Sequence, residues 1–151
     1  MKTAPSPDHT TAIGRLVIAV SKIDTLLTDL AAILLQTDVF SAITAIHHQQ
    51  IANKIDTLKT LVKLKIKSGE GTQVLQLLSE TKSIVNYRNS LVHAHWSIDK
   101  EGETYAARFE TRGKFKRWRQ AEQKAERADE IADQLGGLRD RLWQSNTLRE
   151  Q

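Results

Sequence analysis

Apolar residues recur at helical spacing through the first half of the chain. Over about residues 8–36 they alternate spacings of four and three, which is the pattern of a helix that packs lengthwise against another helix. These residues are Leu16, Val20, Ile23, Leu27, Leu30 and Leu34. A second segment, about residues 39–67, repeats the pattern with Ile51, Ile55, Leu58 and Val62. We therefore predict two long helices, separated by a break near Asp38.

The same kind of spacing returns twice in the second half of the chain. Gly69 and Gly71, beside a run of lysines, indicate a helix stop, and a third helix is predicted over about residues 72–95. Its apolar positions repeat every seven residues and are Leu77, Ile84 and Leu91 in one row and Leu78, Val85 and Val92 in the other. A last helix is predicted over about residues 120–146. Gly136-Gly137 is a candidate kink in it, because a glycine weakens a helix by about 1 kcal/mol relative to alanine.

Between the third and the last helix the period changes from helical to alternating. A turn at residues 99–102 separates Trp96–Ile98 from residues 104–109, in which Tyr105, Ala107 and Phe109 share one side. This pattern predicts an antiparallel β-hairpin, and Lys114–Trp118 is a candidate third strand.

The predicted fold is mainly α: a four-helix up-and-down bundle with a small antiparallel β-hairpin, about residues 96–118, inserted before the last helix. Residues 1–8 contain Pro5 and Pro7, which block a helix, and are predicted to be a flexible N-terminal tail. Residues 9–151 are predicted to form a single domain, since a chain of 151 residues is long enough for one sizeable core.

The composition excludes several classes of protein. The chain has no cysteine, so it holds neither a disulfide framework nor a thiolate metal site. Its start lacks the apolar core of a signal peptide, and no apolar run approaches the length of a membrane span. We therefore expect a cytoplasmic protein with no membrane segment. A net charge of +4 and a sequence pI of about 9.4 are compatible with nucleic acid. We interpret a cationic stripe in the second helix, Lys59, Lys63 and Lys67, as a solvated face.

One arginine interrupts the apolar face of the third helix. Arg88 continues a row that contains Val74 and Thr81, where a sequence built only for packing avoids a charge. At about 100° per residue, Asn89 and His93 lie together on the adjoining polar edge. Two arrangements bring the arginine and the histidine together. The arginine reaches round toward the polar edge, or a second copy of the chain places its own motif opposite.

An arginine, an amide and an imidazole form a set that suits phosphate chemistry. The guanidinium holds a phosphate by its fork of donors and stabilises charge that builds up in the transition state. The imidazole takes or gives a proton near neutral pH. With RNA as substrate, the 2′-hydroxyl supplies an internal nucleophile. The sequence has no glycine-rich phosphate loop, no nucleophile elbow and no zinc motif. We therefore predict neither a metal site nor a cofactor.

The run Arg88-Asn89-Ser90-Leu91-Val92-His93 resembles the R-x4-6-H motif of the HEPN superfamily, in which a polar residue follows the arginine. The resemblance implies a helical bundle and, as in many members, a metal-independent endoribonuclease, such as a toxin of a toxin–antitoxin or phage-defence system. It implies RNA as the substrate, a homodimer with two motifs across a shared cleft, and an antitoxin or inhibitor as a further partner. It assigns Arg88 and His93 as catalytic and Asn89 as their support.

Two features depart from the family pattern. Toxins paired with a nucleotidyltransferase antitoxin often carry a tyrosine two residues after the histidine, where this chain has His95. The predicted hairpin is not part of the family's minimal core. We interpret His95 as a partly buried residue that is hydrogen-bonded within the bundle. His93 and His95 also have the spacing of half a metal site, but no neighbouring ligands are evident.

A short basic segment at the end of the predicted hairpin is a candidate RNA-binding surface. Cations alternate there with aromatic residues, a combination that holds phosphates and stacks a base. The candidate RNA-binding residues are Lys114, Lys116, Arg117, Trp118 and Arg119. The alternative is an exposed loop that packs Trp118 on the bundle.

Other readings of the motif stay open. Arg88 could be a buried structural arginine paired with Asp24 or another acid, and His93 a surface histidine favoured by the helix C-terminus. Two function classes therefore stand beside the nuclease. One is a catalytically inactive HEPN-like module that binds RNA or a nucleotide, and the other is a helical protein-interaction domain.

Overall fold

The computed structural model describes residues 7–98, 100–101, 104–109, 115–118 and 121–149, and the side chains of residues 7–98, 100–101 and 121–146. Within these ranges the chain forms five α-helices and three strands. The helices are α1 (Pro7–Leu35), α2 (Val39–Ile46), α3 (Ile51–Lys65), α4 (Glu70–Val92) and α5 (Ala121–Arg149). The strands are β1 (His95–Ile98), β2 (Thr104–Phe109) and β3 (Phe115–Trp118). The prediction of a mainly helical protein is confirmed.

Helix α1 contacts each of the other helices and provides much of the core. It begins at Pro7, inside the predicted tail, because proline is tolerated in the first turn of a helix. The rest of the tail, residues 1–6, lies outside the described residues. The largest fully buried side chains are Leu16, Val20, Ile23, Leu27, Ile55, Leu58, Val62, Leu78, Val85, Leu91, Ile131 and Leu135. They come from α1, α3, α4 and α5, so these four helices share one core.

The predicted second helix is two helices in the structure. Asp38 caps α2 by accepting a hydrogen bond from the backbone N–H of Ser41 at 2.9 Å. The helix ends at Ile46, and α3 begins at Ile51 after the polar run at residues 47–50. The spacing of five between Ile46 and Ile51 takes the second isoleucine off the face of the first. One continuous helix would therefore expose one of the two, and the break lets Ile46 stay buried.

Helix directions differ from the predicted up-and-down order. Pairs between α1 and α5 advance together along both helices, from Arg15–Asp129 at 3.1 Å to Asp29–Arg139 at 3.4 Å, so these helices run parallel. Pairs between α4 and α5 advance in opposite directions and are Glu80–Arg127 and Glu70–Arg141. Helix α4 is thus antiparallel to α5. The short α2 accounts for the difference, because it returns the chain and lets α3 start beside the middle of α1.

Helix α4 ends earlier than predicted and leads directly into β1. His93 is its C-cap, with φ −101° and ψ 8°, and His95 is the first residue of the strand. The interpretation of His95 as a partly buried residue of the third helix is wrong, because the residue lies in β1 and is exposed. The predicted kink at Gly136-Gly137 does not interrupt α5, which is helical from Ala121 to Arg149.

The strands pair in the order β1-β2-β3, and both pairings are antiparallel. His95 lies opposite Ala107 in the first pair, and Ala106 lies opposite Trp118 in the second. The ring of Trp96 in β1 packs edge-on against His9 of α1, with ring centroids 5.7 Å apart. This contact ties β1 to the start of α1. In the part of the chain that is described, no helix has the length and apolar character needed to cross a bilayer.

Candidate active site at the end of helix α4

The end of α4 is fixed in rotation by its buried side chains. Ile84, Val85 and Leu91 are each at most 2% exposed and anchor the last turns in the core. Because side chains three and four residues apart share a helix face, this anchoring determines where the intervening polar residues lie. Arg88 and Asn89 are half-buried at the edge of the buried face, and His93 is exposed at the helix end.

A groove of about 660 Å³ lies between the start of α3 and the end of α4. Arg88, Asn89 and His93 all line it. The remaining lining residues are Gln50, Ile51, Ala52, Val85, Asn86 and Ser90. The structure therefore brings the three motif residues to one solvent-reachable surface within a single copy of the chain. Both arrangements that would bring the guanidinium of Arg88 and the imidazole of His93 into contact stay predictions.

Arg88 has no carboxylate partner among the described residues, so the interpretation of a structural ion pair with Asp24 does not hold. Asp24 instead accepts a hydrogen bond from Lys54 at 2.8 Å, and Lys54 is 5% exposed. The Nε atom of Arg88 is buried and lacks a hydrogen-bond partner in this part of the chain. A buried N–H without an acceptor is costly.

His93 ends the helix that carries Arg88. Its backbone N–H donates to the carbonyl of Asn89 at 3.2 Å, which ties two of the three motif residues through the main chain. The imidazole lies where the carbonyl ends of the helix favour a cation.

The groove wall contributed by α3 was not identified from the sequence. Gln50, Ile51 and Ala52 lie opposite the motif, although they are more than thirty residues away in sequence. The usable signal was the polar run at residues 47–50, because a helix that begins after such a run presents its first turn at a domain edge. In the sequence, this polar run also coincides with a change in the spacing of the apolar residues, between Ile46 and Ile51.

The structure describes only part of the basic segment that was predicted to bind RNA. Lys114 and Arg119 lie outside the described residues. Lys116, Arg117 and Trp118 belong to β3, where their backbones pair with Arg108, Ala107 and Ala106 of β2. Their side chains lie outside the described part of the chain. The predicted RNA-binding role of these residues stays a prediction.

The side chains that the structure describes contain no group of three histidine, aspartate or glutamate residues arranged to hold a metal ion. Comparison of the chain with family models, with curated proteins and with solved structures finds no match.

Proposed function

We propose that this protein is a metal-independent endoribonuclease and that the groove at the end of α4 is its active site. The proposal is supported above all by the shared groove. A guanidinium with an unsatisfied buried N–H, an amide and an imidazole line one surface that solvent can reach. The residues are Arg88, Asn89 and His93, and their order along the chain resembles the HEPN motif.

Each residue has a role in the proposed reaction. His93 removes the proton from a ribose 2′-hydroxyl, whose oxygen attacks the adjacent phosphorus. The bond from phosphorus to the 5′-oxygen breaks, and the products carry a 2′,3′-cyclic phosphate and a 5′-hydroxyl. Arg88 stabilises the added negative charge on the phosphate oxygens in the transition state. Asn89 orients the phosphate or the imidazole by hydrogen bonding.

The chemistry also favours two copies of the chain. In an in-line displacement the attacking and leaving oxygens lie on opposite sides of phosphorus, so a single imidazole does not reach both. We propose a homodimer in which a second motif protonates the leaving oxygen. The HEPN resemblance adds an RNA substrate, a role as a toxin or defence component, and an antitoxin or inhibitor as partner. A cytoplasmic location, expected from the sequence, is part of the same proposal.

One observation favours a second candidate function. The imidazole of His93 has no hydrogen-bond partner in the described part of the chain, and catalytic histidines are usually held by a second group. A HEPN-like module that binds RNA or a nucleotide in the same groove without cleaving it would not need such a group.

The test is cleavage of single-stranded RNA in the presence of a chelator. We expect the wild-type protein to release fragments that end in a 2′,3′-cyclic phosphate. We expect His93→Ala and Arg88→Ala each to lower the cleavage rate by about 100-fold or more, as loss of an acid–base group or of a charge stabiliser does. Arg88→Lys keeps the charge but loses the fork of donors, and an intermediate rate is expected.

His95→Ala is the matched control, because it removes an exposed imidazole two residues away that does not line the groove. Its cleavage rate should equal that of the wild-type protein. Cleavage that disappears in chelator, or that survives both Arg88→Ala and His93→Ala, would contradict the proposal. RNA binding without cleavage by the wild-type protein would favour the binding module.

A further inference from the structure

The face of α3 that borders the groove at Ala52 continues along the helix and carries two lysines. At about 100° per residue, the side chains of Ala52, Lys59 and Lys63 point within about 20° of one direction on α3. Ala52 lines the active-site groove. With a rise of about 1.5 Å per residue, Lys59 lies about 10 Å and Lys63 about 16 Å beyond it along the helix. The two lysines therefore lie on the face of α3 that borders the groove, farther along the helix from the motif.

The opposing edge of α4 is polar and carries no net negative charge. Ser79, Lys82 and Asn86 continue the spacing of Asn89 and His93 along that edge, back toward the start of the helix. Asp56 of α3 pairs with Lys82 of α4, while Ala52 lies across the groove from Asn89, so the two helices are antiparallel. The polar edge of α4 therefore runs beside this side of α3, toward Lys59. A strand that leaves the motif along this path meets cations and neutral hydrogen-bonding groups.

One carboxylate, Asp56, lies on the path, and a lysine of α4 neutralises it. Lys82 Nζ donates to both oxygens of Asp56 at 2.8 Å. The ammonium groups of Lys82 and Lys59 hold the pKa of Asp56 below its ordinary value. The surface at this point is consequently an ion pair rather than a free negative charge.

The described arginines of α5 form ion pairs, whereas two lysines of α3 do not. The arginines of α5 with described side chains each pair with carboxylates: Arg127 with Glu80 and Glu130, Arg139 with Asp29 and Asp140, and Arg141 with Glu70. By contrast, Lys59 and Lys63 form no ion pair within the described residues.

We propose that Lys59 and Lys63 bind successive phosphates of a single-stranded RNA that leaves the active-site groove along α3. This inference rests on the proposed function for its ligand, and it adds that the enzyme requires unpaired RNA on one side of the scissile bond. The strand is held by its backbone, so this contact carries no sequence preference. Asp56 opposes binding, and its pairing with Lys82 limits that opposition.

Binding is measured with a single-stranded RNA whose 2′-hydroxyls are methylated, because it lacks the internal nucleophile. We expect the double variant K59A/K63A to bind about tenfold more weakly. The slope of log affinity against log salt concentration should fall by about 1.4, because each phosphate that a lysine neutralises on a single strand contributes about 0.7 to it.

The matched control is K65A/K67A, which removes the same charge from a neighbouring part of the chain. Lys65 and Lys67 line a different cavity, of about 460 Å³, at the opposite end of the bundle with Leu142 and Asn146. We expect this variant to keep the affinity and the salt slope of the wild-type protein. Asp56→Asn should tighten binding, since it removes the negative charge on the path and releases Lys82.

If K59A/K63A and K65A/K67A weakened RNA binding equally, the inference would be overturned, because the loss would then follow from net charge alone. Wild-type binding by K59A/K63A would also overturn it. Cleavage of a dinucleotide separates this inference from the proposed function. K59A/K63A should cleave it at the wild-type rate, whereas Arg88→Ala should not. If the wild-type protein bound RNA through Lys59 and Lys63 but cleaved none, the proposed nuclease activity would be wrong and the RNA-binding surface on α3 would stand.

Discussion

At the scale of single residues, Lys54 and Arg88 differ in whether a carboxylate neutralises their charge. Lys54 is buried and bonded to Asp24, while Arg88 lines the groove and its buried Nε lacks a hydrogen-bond partner among the described residues. The sequence showed that Asp24 borders the core and suits a buried cation, but it offered Arg88 as the candidate for that place. Lys54 follows Ile51 by three residues and precedes Leu58 by four, so the helical spacing alone could have identified it as buried.

The buried ammonium of Lys54 should need the charge of Asp24 to keep the folded state stable. We expect Asp24→Asn to lower the free energy of unfolding by about 2 kcal/mol, because it leaves a buried ammonium without a counter-charge. The expected loss is below that of a fully buried pair, since the Asp24 side chain is 37% exposed. Lys54→Met should cost less than Asp24→Asn. Urea unfolding measures both. Asp129→Asn breaks an exposed pair with Arg15 and should change stability by less than about 1 kcal/mol. Similar losses in all three variants would contradict this account.

At the scale of elements, the apolar spacing predicted where α1, α4 and α5 lie to within a few residues. It did not predict the break between α2 and α3, although Ile46 and Ile51 are five residues apart and so fall on different faces of a continuous helix. The break is what brings the start of α3 opposite Arg88. The sequence could therefore predict only the wall of the groove that α4 provides. The other wall depends on a turn whose direction is set by packing rather than by local pattern.

The glycines of two helices should respond in opposite ways to alanine. A Cβ at Gly136 would meet no atom within 4 Å, so Gly136→Ala should raise the free energy of unfolding by up to about 1 kcal/mol through helix propensity. A Cβ at Gly71 would lie 3.0 Å from the carbonyl oxygen of Ile66, so Gly71→Ala should lower it. Thermal unfolding of the two variants gives the comparison. A loss of stability in Gly136→Ala would show that α5 needs flexibility at that position.

At the scale of the whole molecule, three long helices run parallel and α4 runs against them. Glu80 and Arg127 join α4 to α5 through two hydrogen bonds, from Nε to Oε1 at 2.5 Å and from Nη2 to Oε2 at 2.7 Å. The sequence predicted one helical domain with one core, since that follows from periodicity and length. It could not predict the helix directions, because these depend on contacts between residues that are far apart along the chain.

This ion pair gives the fold a pH dependence. The guanidinium of Arg127 holds the pKa of Glu80 below its ordinary value of 4.5. A lowered folded-state pKa means that the stabilisation is present above the unfolded value and is lost as the pH falls through the folded value. We expect Glu80→Gln to lower the melting temperature slightly near pH 7, since both side chains are about one-third exposed or more. The variant should then lose less stability than the wild-type protein between about pH 5 and pH 3. Parallel melting curves for the two proteins would contradict the assignment.

The short connection between α4 and β1 limits how this chain can change length. Only His93 and Ala94 lie between the last helical residue and the first strand residue. An inserted or deleted residue there would move the start of β1 relative to the end of α4 and shift the pairings of β1 by one position. Proteins related to this sequence should therefore keep the same number of residues between α4 and β1, and their insertions and deletions should lie in other connections.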